Sequence, residues 1–205
     1  MQLRSSCVFF ALTLALPAAA QDFSHYAFEG GGGVSMPTGT TGDRVNTGWN
    51  LLFGGGYKFN PKVSALLEYH LDRFSLTNAL LQNANQPDGF ATYWSFTLNP
   101  RYTFHPKGNL SGYATAGYGI YHRRIAFTDP SQATGYCDYF SGYCYGSGAP
   151  VIAEFDNFKG GYNVGGGASY ALGGGSLKFF TDVRFNRFIA VHDNNWISLT
   201  FGVSF

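Results

Sequence analysis

Along most of this chain apolar and polar side chains alternate one for one, in segments of about ten or more residues separated by turn residues. That is the period of an extended strand with two different faces. The end of the chain shows it most cleanly: Ile197, Leu199, Phe201, Val203 and Phe205 share one parity, and Ser198, Thr200, Gly202 and Ser204 share the other. Upstream, Leu177, Phe179, Val183 and Phe185 alternate with Lys178, Asp182, Arg184 and Asn186, interrupted by Phe180 and Thr181. Phe158, Tyr162, Val164, Ala168 and Tyr170 alternate with Lys159, Asn163, Gly165, Gly167 and Ser169. Phe90, Trp94, Phe96, Leu98, Tyr102 and Phe104 alternate with Tyr93, Ser95, Thr97, Asn99, Arg101 and Thr103. Val63, Ala65, Leu67, Tyr69 and Leu71 alternate with Ser64, Glu68, His70 and Asp72, with Leu66 the exception. Weaker segments at 26–35, 47–58 and 110–127, blurred by glycine and tyrosine, bring the number of expected strands to eight.

An even number of strands with one apolar and one polar face predicts an all-β fold, an eight-stranded antiparallel up-and-down transmembrane β-barrel with lipid outside and a polar lumen. Connection lengths orient it. Residues 59–61, 105–109 and 173–175 are tight turns, which belong on the periplasmic side. The longer connections 37–46, 75–89 and 128–156, with the short 191–195, fall outside. Trp49, Trp94 and Trp196 stand near strand ends beside the outer connections, and Phe59, Phe104, Tyr113 and Phe205 near the opposite ends, so two aromatic girdles are expected.

Composition agrees with a membrane wall. Aromatic residues make up 18% of the chain and charged residues only 12%, too few to coat the exterior of a soluble barrel with an apolar interior. Arg4, the apolar run from Cys7 to Leu16, Pro17 and the following alanines read as a signal peptide, residues 1–20, cleaved after Ala20; residues 21–205 are then the barrel domain. The apolar run is shorter than the roughly 20 residues of a membrane helix. Losing Arg4 leaves twelve basic and twelve acidic residues, with no basic stripe for nucleic acid. Two cysteines remain, Cys137 and Cys144, and in an oxidising compartment they read as one disulfide, with two free thiols the alternative.

The terminal run Leu199-Thr200-Phe201-Gly202-Val203-Ser204-Phe205, the strand Asn99-Pro100-Arg101-Tyr102-Thr103-Phe104 and Asp182-Val183-Arg184-Phe185 together resemble the small outer-membrane barrel families, the OmpA transmembrane domain, OmpX and OmpW among them. The resemblance implies the bacterial outer membrane, contact with its lipid and the barrel-insertion machinery as an assembly partner. It also implies that Phe201, Val203 and Phe205 form the signal that this machinery reads.

Glu68, His70 and Asp72 share parity on one strand and should point into the lumen, as should Arg101 and Arg184. Such a group could bind a cation or do acid–base work. A barrel of eight strands is narrow enough to be filled by side chains, however, and buried carboxylates need buried cations. Glu29, Glu68, Arg101, Asp182 and Arg184 count to similar heights, so the expectation is a lumen plugged by charge pairs, with no metal, cofactor or catalytic residue.

A lipid-modifying hydrolase would need a nucleophile beside a histidine at the membrane edge; the His-x-Ser pattern of a lipid A deacylase does not occur around His25, His70, His105, His122 or His192. The glycine runs 30–33, 54–56 and 165–167 lack the Lys-Ser/Thr sequel of a phosphate loop and read as space for bulky lumen side chains; 173–175 is a turn. Tyr136, Tyr139, Phe140, Tyr143 and Tyr145 cluster around the two cysteines in the longest outer connection. They read either as a contact surface for an extracellular ligand or as aromatics lying back on the interface. The combined reading is a monomeric, non-enzymatic barrel with a structural or surface-recognition role, the alternatives being a narrow porin-like channel and an interfacial enzyme.

Overall fold

The computed structural model describes residues 25–104, 109–132, 135–138, 143–146, 148–172, 177–190 and 194–205, and of 135–138 and 143–146 the backbone only. The expected leader and its cleavage site lie outside these residues. Eight long strands close into one barrel: β1 (Tyr26–Thr38), β2 (Gly48–Asn60), β3 (Val63–Ser75), β4 (Asp88–Phe104), β5 (Leu110–Thr128), β8 (Val151–Ala171), β9 (Lys178–Phe188) and β10 (Asn194–Ser204). Each pairs antiparallel with its neighbours in the chain, and β1 closes the ring on β10, with Glu29 opposite Ser204 and Thr38 opposite Asn195. Closure matters because a backbone N–H or C=O left unpaired in lipid costs several kcal/mol, and a ring has no edge within the bilayer.

The alternation read along the chain is the wall. Phe28, Phe53, Leu67, Leu98, Ile120, Val164, Val183 and Phe201 face outward and are exposed, whereas Glu68, Thr97, Asn99 and Arg184 point inward with no exposure. The apparent interruptions keep the period. Leu66 and Phe180 occupy inward positions, 1% and 5% exposed, and fill the lower lumen with apolar bulk, while Thr181 takes an outward place.

Two assignments to the girdles need correcting. Trp196 has the parity of Ser198 and Thr200 and is 1% exposed inside the barrel, and Tyr113 is likewise buried. Height along a strand placed both correctly, but the pleat turns them to the lumen side. Trp49 and Trp94 on the outer wall, and Phe59, Phe104 and Phe205 at the opposite end, remain as girdle residues.

The outer side is more ordered than its composition implies. The connection after β5 shortens because β8 already begins at Val151, and it carries a hairpin of β6 (Gly135–Asp138) and β7 (Tyr143–Gly146) where no strand was expected. The second outer connection holds a short helix α1 (Asn78–Asn83), its N-terminus capped by Thr77, whose hydroxyl accepts from Leu80 N at 3.4 Å. Two outer connections are stitched together by Asn46 N to Ser75 O at 2.9 Å, Thr77 N to Arg44 O at 2.9 Å, and a bridge between Val45 and Leu76.

Candidate functional site

The lumen is filled in layers. Lowest in the ion-pair cluster, Arg101 of β4 donates both Nη atoms to Glu29 of β1, at 2.7 and 2.9 Å, and one of them also to Glu68 Oε1 of β3 at 3.2 Å. The guanidinium carbon lies 4.3 Å from the centre of the Tyr113 ring. Arg184 of β9 holds Glu68 through both Nη atoms, and its Nε donates to Asp182 Oδ1 at 2.6 Å. Tyr113 donates its phenol to the other oxygen of Asp182 at 2.7 Å. Glu68 thus takes hydrogen bonds from both arginines, and paired geometry of this kind offsets the desolvation that makes isolated buried charges so costly.

His70 Nε2 stands 3.3 Å from Arg184 Nη1 and 3.5 Å from Glu68 Oε2, so it accepts from the first or donates to the second, according to its tautomer. Asp72 stands apart from the arginines and accepts from Ser35 Oγ. Asn50 ties this group to its neighbours, donating to Ser35 Oγ at 3.2 Å and accepting from Thr200 Oγ1 at 2.9 Å. All seven charged residues expected in the lumen are therefore there. Six belong to one ion-pair cluster, and Asp72 belongs to the polar layer above it.

The sequence reading missed the layer nearest the outside. Phe74, Tyr93, Tyr121, Phe188 and Trp196 pack inside the outer end of the barrel, with Tyr93 and Trp196 rings 4.8 Å apart and Val45, Leu76 and Leu81 of the outer connections sealing them from above. Tyr93 donates to Asn194 Oδ1 at 2.9 Å, which holds the ring across the lumen. The signal was present as aromatics of inward parity at strand ends, hidden among the girdle aromatics of the opposite parity.

Outside the membrane, β4, β5 and β8 rise above the other strands, at 17, 19 and 21 residues against 11 to 13. The last partner of β8 on β9 is Gly161, opposite Phe188, and Gly160 O still accepts from Ile189 N at 3.1 Å; among the described residues the stretch 151–159 is paired only with β5. Two pairs decorate the outer wall of this arm: His122 Nε2 with Asp156 Oδ1 at 3.0 Å, and Arg124 Nη2 with Glu154 Oε2 at 2.6 Å. His122 lies against Trp94 and Phe158, ring centres 5.0 and 4.3 Å away. In the β6–β7 hairpin Cys137 and Cys144 are direct backbone partners, as are Tyr136 and Tyr145. Tyr139 and Phe140 lie outside the described residues.

At the chain end, Val203 and Phe201 belong to β10, the strand that closes the ring, and Phe205, one residue beyond it, donates its N–H to Phe28 O at 2.8 Å.

A family model for the outer membrane protein beta-barrel domain matches residues 7–205. Among solved structures, this one is similar to Neisserial surface protein A, with a TM-score of 0.56 and 14% identity over 87% of this chain and 95% of that one. OprG from Pseudomonas aeruginosa follows at 0.48 and 13% identity, over 88% of this chain and 96% of that one. Ail, the attachment invasion locus protein of Yersinia pestis, scores 0.47 at 16% identity, over 88% and 99%. Comparison with curated proteins gives no match. At 14% identity the likeness to Neisserial surface protein A speaks for the fold alone, and the family match speaks for the membrane: the chain is a bacterial outer-membrane protein and belongs to the outer membrane protein beta-barrel domain family.

Proposed function

We propose that this protein is a closed barrel that presents a recognition edge outside the cell, rather than a pore or an enzyme. The observation that carries this reading is the outer part of β8: residues 151–159 form a strand with one neighbour, and no described strand covers its other side. Every second residue there offers an N–H and a C=O in the plane of the sheet, while Val151, Ile152, Phe155 and Phe158 expose apolar side chains. An extended segment of a partner protein can add to such an edge as a further strand, with main-chain bonds for affinity and alternate side chains for selectivity. The same reading gives the β6–β7 hairpin, which lies between β5 and β8 in the chain, a share in that contact, with a bridge between the facing Cys137 and Cys144 holding it ready.

Two barriers in series support the closed lumen, the ion pairs of Arg101 and Arg184 below and the aromatic layer around Trp196 above. Insertion read from Phe201, Val203 and Phe205, and function as a monomer, belong to the same proposal. Recording of the purified protein in planar bilayers tests it: silence is expected, and steady ohmic conductance would transfer the case to the narrow channel.

A further inference from the structure

Beneath Arg101 the lumen opens, at the end with the tight turns, into a cup of about 270 Å³. Three amines line it, Lys58, Lys62 and Lys178, with Arg101 as its floor. Glu29 is the one Asp or Glu among the lining residues, and Arg101 already holds it by two hydrogen bonds. No lysine of the cup forms an ion pair with a described Asp or Glu, and Lys58 donates instead to the main-chain oxygen of Phe205 at 3.2 Å. Among its described side chains the cup thus carries more cations than acids, three lysines and Arg101 against Glu29.

The walls add hydroxyls, from Ser64, Thr103 and Ser169, and an apolar side formed by Leu66 and Phe180. Amines for an acid group, hydroxyls for hydroxyls and an aromatic face for a ring's C–H side are the complement of one small sugar acid. The volume lies just under the roughly 300–1,000 Å³ typical of ligand pockets, which admits a monosaccharide and excludes a polymer. We infer that this cup binds a monosaccharide carrying one acid group, phosphate or carboxylate, from the periplasmic side. The site is separate from the outer arm, and it stands whether or not the recognition reading holds.

Isothermal titration of the full barrel in micelles tests it with glucose 6-phosphate, glucuronate, glucose and inorganic phosphate. At least one sugar acid should bind with millimolar affinity or better, with glucose and phosphate each about tenfold weaker, and the tighter acid identifies the acid group. Lys178→Gln should weaken that binding about tenfold, and so should Lys62→Gln, which changes only a turn residue and leaves the strands intact. Absence of binding, glucose or phosphate binding as tightly as the acids, or affinity untouched by both variants would overturn the assignment.

Discussion

Arg184 of β9 grips Glu68 of β3 across the full width of the lumen, and both side chains are without solvent exposure. These strands stand four places apart around the ring in either direction, so the pair ties opposite walls together. Arg184→Ala strands Glu68 and Asp182 with one guanidinium fewer and should destabilise the barrel by about 3–5 kcal/mol. Arg184→Met combined with Glu68→Gln should recover part of that loss, because the uncompensated charge goes with its partner. Urea unfolding in micelles measures both; additive losses would mean that the two residues are not coupled.

The two lumen barriers act in series, so neither should open the barrel alone. Arg101→Ala or Arg184→Ala is expected to leave bilayers silent, since Tyr93 and Trp196 still close the outer end. Trp196→Ala alone creates a cavity costing about 3–5 kcal/mol but leaves the ion pairs in place. Single-channel events should appear only when Trp196→Ala and Arg184→Ala are combined. Conductance from either single variant would show that one layer carries the seal.

Gly54 faces the lumen between two carboxylate-bearing residues: a Cβ built there falls 2.9 Å from Glu29 Cγ and 3.1 Å from Glu68 Cγ. Gly54→Ala should push Glu29 away from Arg101 and destabilise by about 1–3 kcal/mol. Gly55, whose added Cβ would meet only the Phe28 ring at 3.6 Å, is the control and should tolerate alanine. Equal melting temperatures for the two variants would count against a tightly packed charge layer.

Phe205 contributes main-chain bonds to Phe28 at the closing seam. Deleting it should reduce the amount of heat-modifiable barrel in outer-membrane fractions, through loss of those bonds and of the terminal aromatic. Phe205→Ala keeps the main chain and separates the two causes: full recovery in this variant assigns the defect to the seam, and continued loss assigns it to recognition during insertion. Undiminished recovery of the deletion would remove Phe205 from both roles.

The facing positions of Cys137 and Cys144 lead to a local expectation. A bridge there closes a ring of about eight residues and restricts the unfolded hairpin by roughly 2.5 kcal/mol in the chain-entropy model. Mass spectrometry under non-reducing conditions should find the mature protein two hydrogens lighter, and Cys137→Ser should leave barrel assembly unchanged. Two free thiols in protein isolated from the outer membrane would remove the basis for a pre-organised hairpin.

Strand period was legible in the sequence, because lipid and a narrow polar lumen impose opposite demands on successive side chains, and that one constraint gave eight strands, both faces and the inward charges. Residue type alone misled where one chemistry serves two faces. Trp196 and Tyr113 look like girdle aromatics at the right height, and only the pleat turned them inward; Leu66 and Phe180 look like interruptions and are inward packing. Which acid meets which base was beyond the sequence, since Glu29 with Arg101 and Glu68 with Arg184 are separated by 72 and 116 residues and become neighbours only through the stagger and closure of the ring. The one-sided stretch of β8 is likewise a tertiary fact: alternation marks a strand, but whether its first nine residues have one described partner or two depends on where β9 stops. Local pattern determined what each strand turns to lipid, and the closed geometry decided what each side chain meets inside.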